Sequence, residues 1–190
     1  MDIEEFGFHE GVSEVILTTL SQDGIPNAAP MGIHMDGGRL FFRIFNSTTF
    51  TNIDANPKAA ANIIDDPALF VKSALSDIEP ERFKFIDGFP VLKQALGWLI
   101  FDCECRRGEN ISVVELSPVR GNINRRAIRP VNRGFNAVIE AAVHATRYVG
   151  LKEQEYLRQI EYCNTIVQKC GGAREKEAMR MLYELIGYPE

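Results

Sequence analysis

The chain has 190 residues, 45% of them hydrophobic and 25% charged, with a formal net charge of -5. That is enough apolar material for a sizeable core, and it excludes disordered, collagen-like and low-complexity classes. No run approaches the roughly 18 apolar residues of a membrane-crossing helix. Met1-Asp2-Ile3-Glu4-Glu5 lacks the basic and apolar regions of a secretory leader, so a cytoplasmic protein with no membrane partner is expected. The acidic balance argues against nucleic acid as a partner of the whole molecule.

In chain order, the residues before Ser13 form a lead-in whose Phe6 and Phe8, on alternate positions, can cover one end of a core. Residues 15–20 are apolar and β-branched and predict a strand. Ser21-Gln22-Asp23-Gly24 is a turn, residues 27–35 form a second strand, and Asp36-Gly37-Gly38 leads into a third over 39–45. On the second strand Ala28, Pro30, Gly32 and His34 share one face, and Asn27, Ala29, Met31, Ile33 and Met35 the other. Proline removes a ladder donor and glycine lets another group approach the backbone. This strand is therefore either a plain edge or a surface against which a planar ring can lie around residues 29–32.

The third strand is apolar on both faces, with Leu40, Phe42 and Ile44 on one and Phe41, Arg43 and Phe45 on the other. Such a strand is buried twice, once by its own core and once by a subunit or a ligand. Arg43 among aromatics suits either a phosphate or a carboxylate across an interface. Next come Asn46, Ser47, Thr48, Thr49, Thr51 and Asn52, opening a short helix that Asn56-Pro57 terminates. A helix start presents unpaired N–H groups and a partial positive charge, and hydroxyls beside it add donors. The turn therefore suits a phosphate.

This order of strand, Asp23-Gly24 turn, Pro26, small-residue strand with Pro30 and Gly32, aromatic strand, Ser/Thr turn and Asn-Pro resembles the FMN-binding split barrel. More narrowly, the chain resembles a mainly archaeal family that joins this barrel to a C-terminal helical domain. That resemblance is carried by Asn132-Arg133, Ile139-Glu140-Ala141 and Ala145-Thr146-Arg147. It implies FMN as cofactor, with the ring on the backbone of Ala29, Pro30, Met31 and Gly32. It also implies a homodimer with FMN at its interface and a small-molecule redox partner. The hydroxyl-rich turn, Ser47, Thr48, Thr49, Thr51 and Asn52, with Arg43, is the expected phosphate site.

Further along, residues 59–64 and 68–75 read as two more short strands around Asp65-Asp66-Pro67. Ser76 and Glu79 have capping-box spacing, so a helical turn over 80–86 is expected as an insertion or lid. Residues 96–106 and 111–119 give two further strands, and about six or seven short strands fit a small closed barrel. From Arg120 the composition changes. Arg120, Arg125, Arg126, Arg129 and Arg133 concentrate in an acidic protein, marking a domain boundary and a possible seat for an anionic substrate. Carboxylates such as Glu115, Glu140 and Glu153 offer a purely structural alternative, in which the arginines are paired or solvated. Helices are expected over 131–148, ended by Gly150, and over 152–169 and 173–186.

The fold expected is thus α+β, a small antiparallel split β-barrel over 1–119 followed by an arginine-rich linker and three-helix domain over 120–190. Cys103, Cys105, Cys163 and Cys170 have no zinc-like spacing to His9, His34 or His144, so reduced, packed thiols and no metal site are expected. No catalytic residue can be assigned, and flavin chemistry does not require one. Three functional classes remain open: a flavin-dependent oxidoreductase of the flavin-reductase type, a flavin carrier without turnover, and an OB-like oligonucleotide binder. The last would stack bases on Phe41 and Phe45, and the acidic balance disfavours it.

Overall fold

The computed structural model describes residues 2–188. Within it the chain separates into two units, each drawing on two stretches of sequence. The first ends at Ile64 and resumes over Ile78–Ala127, and the second takes Asp65–Asp77 and the described residues from Ile128 onward.

The first unit is a six-stranded antiparallel barrel. Its strands are β1 (Gly11–Leu20), β2 (Pro26–Asp36), β3 (Arg39–Ile44), β4 (Lys58–Ile63), β7 (Gly97–Arg106) and β8 (Ser112–Ile123), closed in the order β1-β2-β3-β8-β7-β4. Helix α1 (Thr48–Ala55) connects β3 to β4, and β5 (Phe83–Ile86) and β6 (Phe89–Leu92) form a separate ribbon. Alternation along the strands sends Val15, Leu17, Ile33, Leu40, Phe42, Leu99, Phe101 and Val114 into one core, which Phe8 and Ile53 complete. On the outside, Phe89 and Val91 of the ribbon pack with Ala60, Trp98 and Ile100. The outward face of the β1-β4-β7 side is thereby covered.

The second unit holds α2 (Pro67–Leu75), α3 (Arg133–Leu151), α4 (Gln154–Cys170) and α5 (Ala173–Ile186). Val71, Val138, Ala142, Ile160, Val167, Met179 and Leu182 form its core. Asn132 caps α3, its side chain accepting from the N–H groups of Gly134 and Phe135. The fold class is therefore α+β, with the three expected C-terminal helices joined by a fourth from the middle of the chain.

That fourth helix corrects the strand expected over 68–75. Asp66 accepts from Ala68 N–H at 3.1 Å and Pro67 occupies the first turn, so local capping starts a helix where the apolar run alone is ambiguous. Ser76 does not open a capping box, because it is the C-cap of α2, its N–H donating to the Lys72 carbonyl. The helical turn over 80–86 shrinks to a 3-10 turn at Pro80–Arg82, and the rest is β5. Gly150 does not end α3, which runs on to Leu151 until Lys152 takes a left-handed φ of 56°. The strand read to 119 continues to Ile123 as β8, past an irregularity opposite Ile100 and Phe101 where Pro118 supplies no N–H.

Candidate functional site

The barrel is closed, but one seam is paired over only part of its length. β2 pairs with β1 from Pro26 to Met35, but its pairing with β3 is confined to His34, Met35 and Asp36. Beyond Phe41, β3 keeps only its other partner, β8, which it pairs with over Leu40–Ile44. Along residues 27–33, then, the β3-facing edge of β2 has no ladder partner among the described residues. Every second residue of this stretch turns its backbone N–H and C=O to that edge, where they can meet a flat polar molecule, and Pro30 has no N–H to offer. Ala29, Pro30, Met31 and Gly32 all lie on this stretch and are half-buried.

Helix α1 starts beside this edge. Asn27 Nδ2 donates to Thr49 Oγ1 at 3.1 Å, tying the beginning of the free edge to the first turn of the helix. Ser47 is the N-cap, accepting from Phe50 N–H, and Thr51 donates its hydroxyl back to the Ser47 carbonyl. The N–H of the exposed Thr48 has no intrahelical acceptor by position, so a backbone donor and the positive end of the helix face outward. The hydroxyl-rich turn divides into two roles. Thr49 and Asn52 are buried, with Asn52 Nδ2 donating to Thr19 Oγ1 at 3.0 Å, and they anchor the helix to the barrel. Ser47, Thr48 and Thr51 are exposed around the helix start.

Arg43 lies on the outward face of β3, between Phe41 and Phe45. Phe45 is 66% exposed, and Val12, on the neighbouring stretch of sheet, 54%. Phe41 is flanked by His34, the rings stacked at 4.9 Å and 11°. His34 and Asn27 are the residues that sequence reasoning missed as parts of this region. A two-residue Gly37-Gly38 turn, both at positive φ, sets His34 opposite Phe41, so the stack was available from the hairpin register.

The arginines are divided between the two units. Arg120 pairs with Asp87 at the tip of the β5–β6 ribbon, Arg125 and Arg126 follow in the same unit, and Arg129 and Arg133 belong to the other. Arg129 lies 4.5 Å over the Phe135 ring, while Glu115 is engaged by Arg39 and Arg106. On β7, burial above all, with Asp102 and Cys105 adding to it, pushes the Cys103 thiol up to about 12. Burial and then Asp54 raise Cys105. Both thiols are held protonated at neutral pH, which suits packing rather than nucleophilic attack.

A barrel split along one strand, with a helix starting beside the gap, is the architecture of the flavin-reductase-like split barrels. A flavin reductase solved in complex with NADP+ superposes with a TM-score of 0.54 at 13% identity, covering 67% of this chain and 89% of that one. A flavoredoxin from Methanosarcina acetivorans does so at 0.51 and 11%, covering 62% and 72%. Both show the fold alone. Residues 13–125 match the N-terminal domain of the family described as protein of unknown function DUF447, and residues 132–184 match the second DUF447 domain. The chain belongs to this family. It is 43% identical to an FMN-bound DUF447 protein from Methanosarcina mazei, with a TM-score of 0.91, over 97% of this chain and 100% of that one.

Proposed function

We propose that this chain is an FMN-binding flavoprotein and acts as a flavin-dependent oxidoreductase. The carrying observation is the juxtaposition of the free β2 edge with the start of α1, locked by the Asn27–Thr49 bond. A flavin mononucleotide has a flat heteroaromatic ring that needs backbone donors and acceptors, and a phosphate that needs N–H groups. The residues present fit both ends: Ala29 to Gly32 for the ring, and the Thr48 N–H with the Ser47, Thr48 and Thr51 side chains for the phosphate. The FMN-bound relative at 43% identity supports the same reading. Bound FMN supplies hydride and electron transfer, and the chain's own residues orient it and keep water from it.

A second copy of the chain completes this reading. The outward face with Val12, the His34–Phe41 stack, Arg43 and Phe45 is the apolar face that the ribbon leaves uncovered, and we assign it to a homodimer interface beside the cofactor. An anionic small-molecule redox partner is assigned to the arginines, with Arg126, exposed, and Arg125 the positions to test. Titration with FMN tests the cofactor assignment. Saturable quenching of flavin fluorescence at one FMN per chain is expected, weakened at least tenfold by Thr48→Pro, which removes a helix-start donor. A protein that leaves FMN emission unchanged overturns the assignment. Reduced nicotinamide and deazaflavin donors, tried anaerobically, separate an oxidoreductase from a carrier: a carrier bleaches no faster than free FMN.

A further inference from the structure

The helical unit contains a groove of its own, about 450 Å³, between α3 and α4. It exists because small side chains meet where the helices face each other. Ala137 on α3 and Cys163 on α4 are both buried and form the floor, with Ile166 beside them, leaving unfilled the space that two leucines would occupy. Burial, and the Glu140 carboxylate beside it, push the Cys163 thiol up, so the floor is neutral. The ends of the groove are charged and opposite in sign. Arg133 stands at one end of the α3 stripe and Glu140 two turns on, roughly 10 Å along the helix axis.

His144 fixes the acidic end. Its Nε2 lies 3.2 Å from Glu140 Oε1, with the ring only 15% exposed. With that N–H donating to the carboxylate, Nδ1 is left as an acceptor, and this nitrogen is buried without a hydrogen-bond partner among the described residues. Tyr162, 64% exposed on the rim, offers a ring face and a hydroxyl over the middle of the groove.

We propose that the α3–α4 groove binds a small zwitterion, its anionic group on Arg133, its cationic group on Glu140, and its slim apolar middle over Ala137 and Cys163. The inference stands on the helical unit alone and does not depend on the flavin reading. Opposite charges carried by residues about 10 Å apart along one helix, over an apolar floor, act as a ruler, so affinity depends on the length of the ligand as well as on its two charges.

The test is calorimetric titration of the full chain, as purified, with ω-amino carboxylates from 4-aminobutanoate to 8-aminooctanoate, and with hexanoate and hexylamine as single-charge controls. One site per chain is expected, with affinity peaking at one chain length and at least tenfold weaker for both controls. Arg133→Gln and Glu140→Gln, both at exposed positions, are each expected to weaken binding at least tenfold without moving the unfolding midpoint. The proposal is overturned by no saturable heat at any length, by affinity that ignores length, or by sensitivity to neither substitution. Sensitivity to only one of the two also overturns it, because that describes a simple anion or cation site.

Discussion

Asn62, fully buried on β4, shows how single side chains hold the barrel and its ribbon together. Its Nδ2 donates to the carbonyls of Ile16 (2.9 Å) and Ala60 (3.2 Å) and to Thr18 Oγ1, while its Oδ1 accepts from Leu92 N–H at 2.7 Å. Thr18 in turn donates to the Pro90 carbonyl at 2.6 Å. Removing one member of a buried network strands its partners, at about 1–3 kcal/mol for each unsatisfied group. Asn62→Leu is expected to lower stability by roughly 2–4 kcal/mol in urea unfolding, and a change below 1 would mean that the ribbon is held by packing alone. Cys103 gives a pH prediction. Its folded value of about 12 lies above that of a free thiol, so the unfolded chain loses this proton first. Its contribution is complete below about pH 9 and is lost by about pH 12, and stability should fall across that window. Cys103→Ala should flatten the fall, as read from urea midpoints at stepped pH.

Among the elements, the junction of α3 with the α4–α5 turn leaves no room. A Cβ on Gly134 would lie 2.5 Å from the Gly171 Cα and 2.6 Å from its N, both backbone atoms that cannot swing aside. Gly134→Ala is expected to destabilise the helical unit by about 1–3 kcal/mol, measured by circular dichroism during chemical unfolding. The three C-terminal helices could be read from the sequence because each has a long 3.6-residue period and a punctuating Gly171-Gly172, Gly187 or Asn132. Helix α2 could not, because Ala-Leu-Phe-Val-Lys-Ser-Ala-Leu is too short for periodicity to separate helix from strand, and only the Asp66-Pro67 cap tips it. For the candidate site, the hydroxyl turn and the small-residue strand were visible as residue types. Which hydroxyls turn inward was not, since that depends on Asn27 and Thr19, which are remote in sequence.

For the molecule as a whole, the barrel's outward face divides into a half sealed by its own ribbon and a half carrying Val12, Phe41 and Phe45. Light scattering of the native protein is expected to give twice the chain mass. Phe45→Glu, which puts a charge into the centre of that face, should give the mass of one chain with its secondary structure intact. A native protein of single-chain mass would overturn the interface while leaving the FMN titration as a separate result. Arg125→Ala with Arg126→Ala should slow turnover with an anionic acceptor and leave FMN content unchanged. If these arginines are structural instead, the pair should lower the unfolding midpoint, with activity falling only as folded protein is lost.

The interleaving of the two units has a consequence for how the protein is made. Helix α2 leaves the ribosome inside the barrel's stretch of chain, while its packing partners α3 and α5 begin only at Arg133 and Ala173. At roughly 5–20 residues per second, Phe70, which meets Phe135, and Val71, which joins the helical core, wait on the order of ten seconds for cover. A nascent chain stalled near residue 127 would carry every strand of the barrel together with a naked greasy helix. It should therefore be a stronger chaperone client than the finished protein.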